Sequence, residues 1–129
     1  MPLKPRKNMI SEASVQASVL EYLKLCRISA WRMNSGATKV QSGDLGRARF
    51  VRWNHKPGMS DICGVLPLSP SVAAGRALFI ECKAPRKGKL SELQKSFLDE
   101  MASQGALAFV AESVEDVRKT LKENGYEVP

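Results

Sequence analysis

Histidine is almost missing from this chain, with His55 the sole example, and its cysteines show no metal-binding spacing. Cys26, Cys63 and Cys82 are odd in number, widely separated and without a C-x-x-C pair. That pattern excludes an imidazole- or thiolate-rich zinc site and a disulfide framework. The three read instead as buried free thiols, because free cysteine packs as a small hydrophobe. Long apolar runs are also lacking, and none approaches the roughly 20 residues that span a bilayer. The N-terminal Met1-Pro-Leu-Lys-Pro-Arg-Lys-Asn is basic and has no apolar signal core after it. The expectation is a cytoplasmic protein with a basic flexible arm over 1–10 and a single domain over 11–129. Apolar residues at 43% and charged residues at 26% are ordinary for a globular domain.

Charge is present in excess of one sign. The net charge is +7, and residues 1–60 carry 11 Lys/Arg against 3 Asp/Glu, whereas residues 61–129 carry 9 against 10. A positive field gathered in one half attracts a polyanion, and phosphate neutralisation supplies salt-sensitive affinity. A generally solvated basic surface is the alternative.

The densest signal runs from Gly58 to Lys83. Gly58-Met59-Ser60-Asp61-Ile62-Cys63-Gly64-Val65 opens an apolar strand on an acidic residue. After a loop, Ala77-Leu78-Phe79-Ile80-Glu81-Cys82-Lys83 ends a second strand in Glu-X-Lys. Two such strands pair as neighbours. The strand period of two puts Glu81 and Lys83 on one face and Cys82 on the other. Asp61, Glu81 and Lys83 can then converge. Two carboxylates hold a hard divalent cation, and an ammonium beside them can steer a water. Phosphodiester hydrolysis needs both functions, so the region suggests a metal-dependent nuclease.

The rest of the chain supplies a scaffold. Ser11 caps a helix running to Cys26, with Val15, Val19, Leu20 and Leu23 at helical spacing and Glu12 in its first turn. A strand over Ile28–Asn34 precedes a Gly/Ser-rich stretch, 35–46, that reads as a mobile loop. Strands follow over Arg47–Trp53, Asp61–Leu66 and Ala77–Lys83, with a loop from Pro67 to Gly75. Ser91 caps a helix with Leu93, Phe97, Leu98 and Met101 on its apolar side, ended by Gln104-Gly105. Ala106–Ala111 reads as a buried interior strand, and Ser113 starts a last helix that Gly125 ends. The order predicts an α/β fold with a mixed central sheet flanked by helices. Trp31 and Trp53 are expected in the core or an interface.

Taken together, Gly58-X-X-Asp61, Glu81-X-Lys83, Gln94 on a following helix and Glu12 on the first helix resemble the PD-(D/E)XK nuclease superfamily. Within it the chain looks most like the virus-type replication-repair nuclease (VRR-NUC) domain, over nearly its whole length. Ser60 departs from the pattern, in which proline commonly precedes the aspartate; that position shapes the turn. The resemblance implies a restriction-endonuclease-like core, Mg²⁺ or Mn²⁺, and endonuclease cleavage of branched or junction DNA, four-way junctions included. It further implies that Asp61, Glu81, Glu12 and the backbone carbonyl of Cys82 hold the ion, with Lys83 and Gln94 completing the catalytic group. Each residue has a plainer reading. Asp61 could cap a turn, Glu81 and Lys83 could form a surface ion pair, Glu12 could answer the helix dipole, and Gln94 could be an exposed helix residue. His55 reads as a turn residue or phosphate contact. Arg47, Arg49, Arg52, Lys56, Arg86, Lys87 and Lys89, with Lys39 in the loop, are candidates for a DNA track, as are the donors of Asn34-Ser35-Gly36. One small unit with one site also suggests a homodimer.

Overall fold

The computed structural model describes residues 10–33, 37–42, 47–52, 56–69, 72–86 and 88–129. Helix α1 (Glu12–Leu25) begins at Ser11, whose hydroxyl accepts the Ser14 N–H at 3.1 Å. Strand β1 (Ser29–Arg32) follows, then β2 (Ala37–Ser42), β3 (Arg47–Arg52), β4 (Ile62–Ser69) and β5 (Val72–Cys82). Helix α2 (Glu92–Ser103), β6 (Leu107–Ala111) and α3 (Val114–Glu123) complete the order.

The main sheet runs β1-β4-β5-β6. β1 and β4 are antiparallel, as are β4 and β5, while β5 and β6 are parallel, so the sheet is mixed as expected. β4 and β5 occupy its interior, and their register pairs Ile62 with Ile80. That register brings the entry of β4, at Asp61, level with the end of β5, at Glu81.

One face of the sheet holds the main core. Val15, Val19 and Leu23 of α1 and Val117 and Leu121 of α3 meet Ile62, Leu66, Leu78, Ile80 and Cys82 there. The alternate face of β5 receives α2, where the rings of Phe79 and Phe97 pack edge to face at 5.2 Å. Helices on both faces shield the end of β5, residues 78–82, whereas Ala73, Ala74 and Gly75 nearer its start are exposed. Tyr22 ties the chain's end to α1 by donating its hydroxyl to the Pro129 carbonyl at 2.7 Å.

Four readings of the sequence are corrected. Part of the stretch 35–46 is not a loop: Ala37–Ser42 pairs antiparallel with β3 in a separate two-stranded sheet. Thr38 and Val40 suit a strand, and the hydrogen-bonding partner lies in another segment that local periodicity does not weigh. The Pro67–Gly75 loop is mostly strand, because β4 continues to Ser69 and β5 starts at Val72. Pro67 is accommodated where the ladder shifts register between Pro67 and Ser69. Strand β6 is an edge of the main sheet and not its interior, with Val110 36% exposed. Its apolar run reflects helices packing on it, since both α2 and α3 touch it. Trp31 is not in the core, being 49% exposed on edge strand β1. The N-terminal arm through residue 9, Asn34-Ser35-Gly36, Trp53, His55 and Lys87 lie outside the described residues.

Ile80 is fully buried at the centre of the sheet. Ile80→Ala is expected to lower unfolding free energy by about 2–5 kcal/mol in a denaturant titration, through lost burial and the cavity left behind.

Candidate active site

Strand alternation places the side chains of Glu81 and Cys82 as expected. Cys82 joins the core, whereas Glu81, 1% exposed, and Lys83, 8% exposed, point to the opposite side. Asp61 is fixed from two directions. Its carbonyl accepts the Met33 N–H at 2.7 Å, and its Oδ2 accepts the Cys82 N–H at 2.9 Å. Glu12 arrives from the first turn of α1. Carboxylate oxygens of Glu12, Asp61 and Glu81 lie within 4.8 Å of one another.

The two oxygens of Glu81 differ sharply. Oε1 accepts a hydrogen bond from Gln94 Nε2 at 2.6 Å and faces Lys83 Nζ at 3.4 Å. Oε2 is buried with no hydrogen-bond partner. A buried carboxylate oxygen without a donor is costly unless a cation or water completes it. The donor set fits a hard divalent ion: it consists of carboxylate oxygens, and one buried lone-pair site remains open.

Local sequence explains how Gln94 reaches the strand. Ser91 and Gln94 form a capping box at the start of α2: Ser91 Oγ accepts the Gln94 N–H at 3.1 Å, and Gln94 Oε1 accepts the Ser91 N–H at 3.0 Å. With its oxygen held by the cap, the amide turns its NH₂ to Glu81. The S-x-x-Q spacing was legible as a cap and also fixes this orientation. Leu93 beside it is 60% exposed, correcting its assignment to the apolar side of α2; Phe97 and Leu98 alone of that set are buried. Gly58 permits the close approach of the preceding turn. Its φ is +73°, and a Cβ there would collide with the Leu93 carbonyl. Gly88 does the same for Lys83: an added Cβ would lie 2.6 Å from Lys83 Cβ, so only glycine lets the 84–88 turn close over the lysine stem. Ser60, in place of the usual proline, is buried and donates its hydroxyl to the Ile62 carbonyl at 3.2 Å. It anchors the strand entry by a hydrogen bond where proline would do so by a fixed φ.

Burial pushes the Glu81 carboxyl up to about 7, and the nearby Asp61 carboxylate adds to this while Lys83 opposes it. The Cys82 thiol is pushed up to about 12, first by burial and then by the charges of Asp61, Glu81 and Glu12. Burial also raises Cys63. Neither thiol is available as a thiolate ligand near neutral pH.

Other candidates scatter more widely. Lys56 pairs with Glu100 of α2 at 2.7 Å on the surface. Arg86 and Lys89 are exposed on the turn that follows Lys83. Lys39 lies on β2 opposite Phe50, and Arg47, Arg49 and Arg52 lie on β3. Gln16, which sequence reasoning passed over, is 8% exposed on α1 with its Oε1 unpartnered. Its signal was a polar residue within the apolar stripe, four positions after Glu12.

The sequence matches the VRR-NUC domain over residues 10–115. The chain belongs to the VRR-NUC family. No curated protein and no solved structure matches it. Membership carries a nuclease-type function with DNA as substrate, and the four-stranded mixed sheet with three helices agrees with that domain. The acidic cluster is compatible with a divalent metal. Among the described residues, no helix is long and apolar enough to cross a membrane.

Two outcomes follow from this site. A carboxyl raised in the fold from 4.5 to about 7 favours the folded state below its unfolded value, and that contribution is lost as pH rises through about 7. The metal-free protein is therefore expected to lose thermal stability relative to Glu81→Gln between about pH 4.5 and 7, read as a widening gap in melting temperature. Gly58→Ala is expected to destabilise by more than about 1 kcal/mol, since it forces positive φ and a backbone clash together, with chemical denaturation as the measurement.

Proposed function

We propose that this VRR-NUC protein is a Mg²⁺- or Mn²⁺-dependent DNA endonuclease that hydrolyses phosphodiester bonds in branched or junction DNA. The observation that carries the reading is the convergence of Glu12, Asp61 and Glu81 within 4.8 Å, with Glu81 Oε2 buried and unpartnered. When bound, a divalent cation lowers the pKa of a water and acts as a Lewis acid on a phosphate oxygen. Asp61, Glu81, Glu12 and the Cys82 carbonyl are the proposed ligands. Asp61 is pre-set for that role by the Cys82 N–H, which occupies one of its oxygens and orients the other. Lys83, held beside Glu81 and roofed by Gly88, is placed to orient the attacking water and to offset charge growing on the phosphate oxygens. Gln94 fixes Glu81 through a short hydrogen bond and leaves Oε2 for the ion.

The proposed DNA track comprises Arg86 and Lys89, which follow Lys83, and Lys87 between them in sequence, with Lys39, Arg47, Arg49, Arg52 and Lys56. The segment after Lys83 is continuous in sequence with the catalytic strand, and the +8 balance of residues 1–60 supports a polyanionic partner. Branch preference is drawn from the likeness to the VRR-NUC family. A symmetric pair would cut two strands with two copies of one site. A monomer in sedimentation, with and without DNA, would rule that pair out.

Cleavage of labelled four-way junction, flap, single-stranded and duplex DNA tests the whole reading. Cutting is expected with Mg²⁺ or Mn²⁺ and not with EDTA. Lys83→Ala is expected to slow it by about 10²–10³-fold, the scale of losing one preorganised charge, and Asp61→Ala to abolish it. DNA bound but uncut under every metal condition would point to a non-catalytic binding protein. Discrete fragments from long linear duplex would point to a restriction-type enzyme.

A further inference from the structure

Among the described residues the buried polar or charged side chains are Gln16, Ser60, Glu81 and Lys83. Ser60 and Lys83 have partners, whereas two buried oxygens have none: Glu81 Oε2 and Gln16 Oε1. The first belongs to the acidic cluster. The second demands its own account, because a buried amide oxygen without a donor works against folding.

Three observations connect it to the same place. Gln16 follows Glu12 by four positions, so the two share a face of α1 with Cβ atoms about 5–6 Å apart. Side chains on a helix lean back toward its N-terminus, which carries the Gln16 amide toward the turn that presents Glu12. Helical periodicity also sets Gln16 on the opposite flank of the buried stripe from Tyr22, whose hydroxyl is bound to the C-terminal end of the chain. Leu20, on that same flank, lines a cleft with Ser29, Ala30 and Trp31 of β1, and the residue after β1 is bonded to Asp61 through the Met33 N–H.

We infer that Gln16 is a positioning residue of the metal centre, its Oε1 accepting a hydrogen bond from a water in the hydration shell of the ion held by Glu12, Asp61 and Glu81. The inference rests on the metal-dependent reading above and adds a residue to it. Mg²⁺ and Mn²⁺ sites keep several waters, and such waters need acceptors as well as a cation. An amide oxygen meets that need without adding a fourth negative charge to a crowded cluster. The two orphaned acceptors thus receive complementary partners: Glu81 Oε2 the ion, Gln16 Oε1 a proton of its water.

The test is Mn²⁺ affinity, measured by calorimetry on wild type, Gln16→Met, Gln16→Glu and Asp61→Ala, alongside melting of each metal-free protein. Gln16→Met keeps the unbranched length and removes the acceptor. It is expected to melt higher than wild type without metal, yet to bind Mn²⁺ about 10–100-fold more weakly, the usual effect of losing an outer-shell partner. Gln16→Glu retains an acceptor oxygen and is expected to bind Mn²⁺ about tenfold more tightly than Gln16→Met. Mn²⁺ affinity of Gln16→Met within twofold of wild type, with Asp61→Ala still defective, would overturn the role of Gln16 alone. Wild type that binds no better than Asp61→Ala would overturn the metal centre and this inference with it.

Discussion

Everything at this site answers to one carboxylate placed inside a sheet. Glu81 stands near the end of an interior strand, 1% exposed, where an unpaired charge is strongly disfavoured. The fold reduces that penalty without removing it. Lys83 and Gln94 both address Oε1, and Oε2 is left alone. Had the structure optimised stability, Oε2 would have received a donor too. Its isolation, together with the upward shift of the carboxyl, marks a place that the protein alone leaves incomplete.

The site is assembled from the ends of elements, which explains its economy of sequence. Glu12 lies in the first turn of α1 and Gln94 in the first turn of α2, so the first turns of two helices each bring a side chain to the acidic cluster. Asp61 enters β4 as Glu81 leaves β5, and the Ile62–Ile80 register sets them level. A slip of one residue in that register would turn Glu81 into the core and Cys82 out of it. The apolar pairing of β4 and β5 therefore does more to place the carboxylates than any contact between the carboxylates themselves.

Much of this was legible because it depends on local periodicity. The alternation of Ile80, Glu81, Cys82 and Lys83 fixes which side chains share a face, and Ser11 and Ser91 announce their helices. What escaped depends on how strands pair rather than on the periodicity within each. The pairing of Ala37–Ser42 with β3 needs a partner strand, and the extension of β4 past Pro67 needs a tolerated shift of register. The exposure of Trp31 and the edge position of β6 follow from strand order, which no single segment encodes. Gln16 is an intermediate case: its spacing from Glu12 was visible, but its lack of a partner is a property of the folded interior.

The contrast between the basic N-terminal half and the acidic cluster is also a physical arrangement. A polyanion drawn to the Lys and Arg of residues 1–60 would be repelled by three bare carboxylates at the point where its backbone must be cut. On the proposed reading, a bound cation reverses that local sign and at the same time satisfies Glu81 Oε2. Substrate approach and completion of the interior then depend on the same ion. A cluster kept acidic and under-satisfied at a cost in stability is what such coupling requires, and it explains why Gln94 and Lys83 steady Glu81 from one side only.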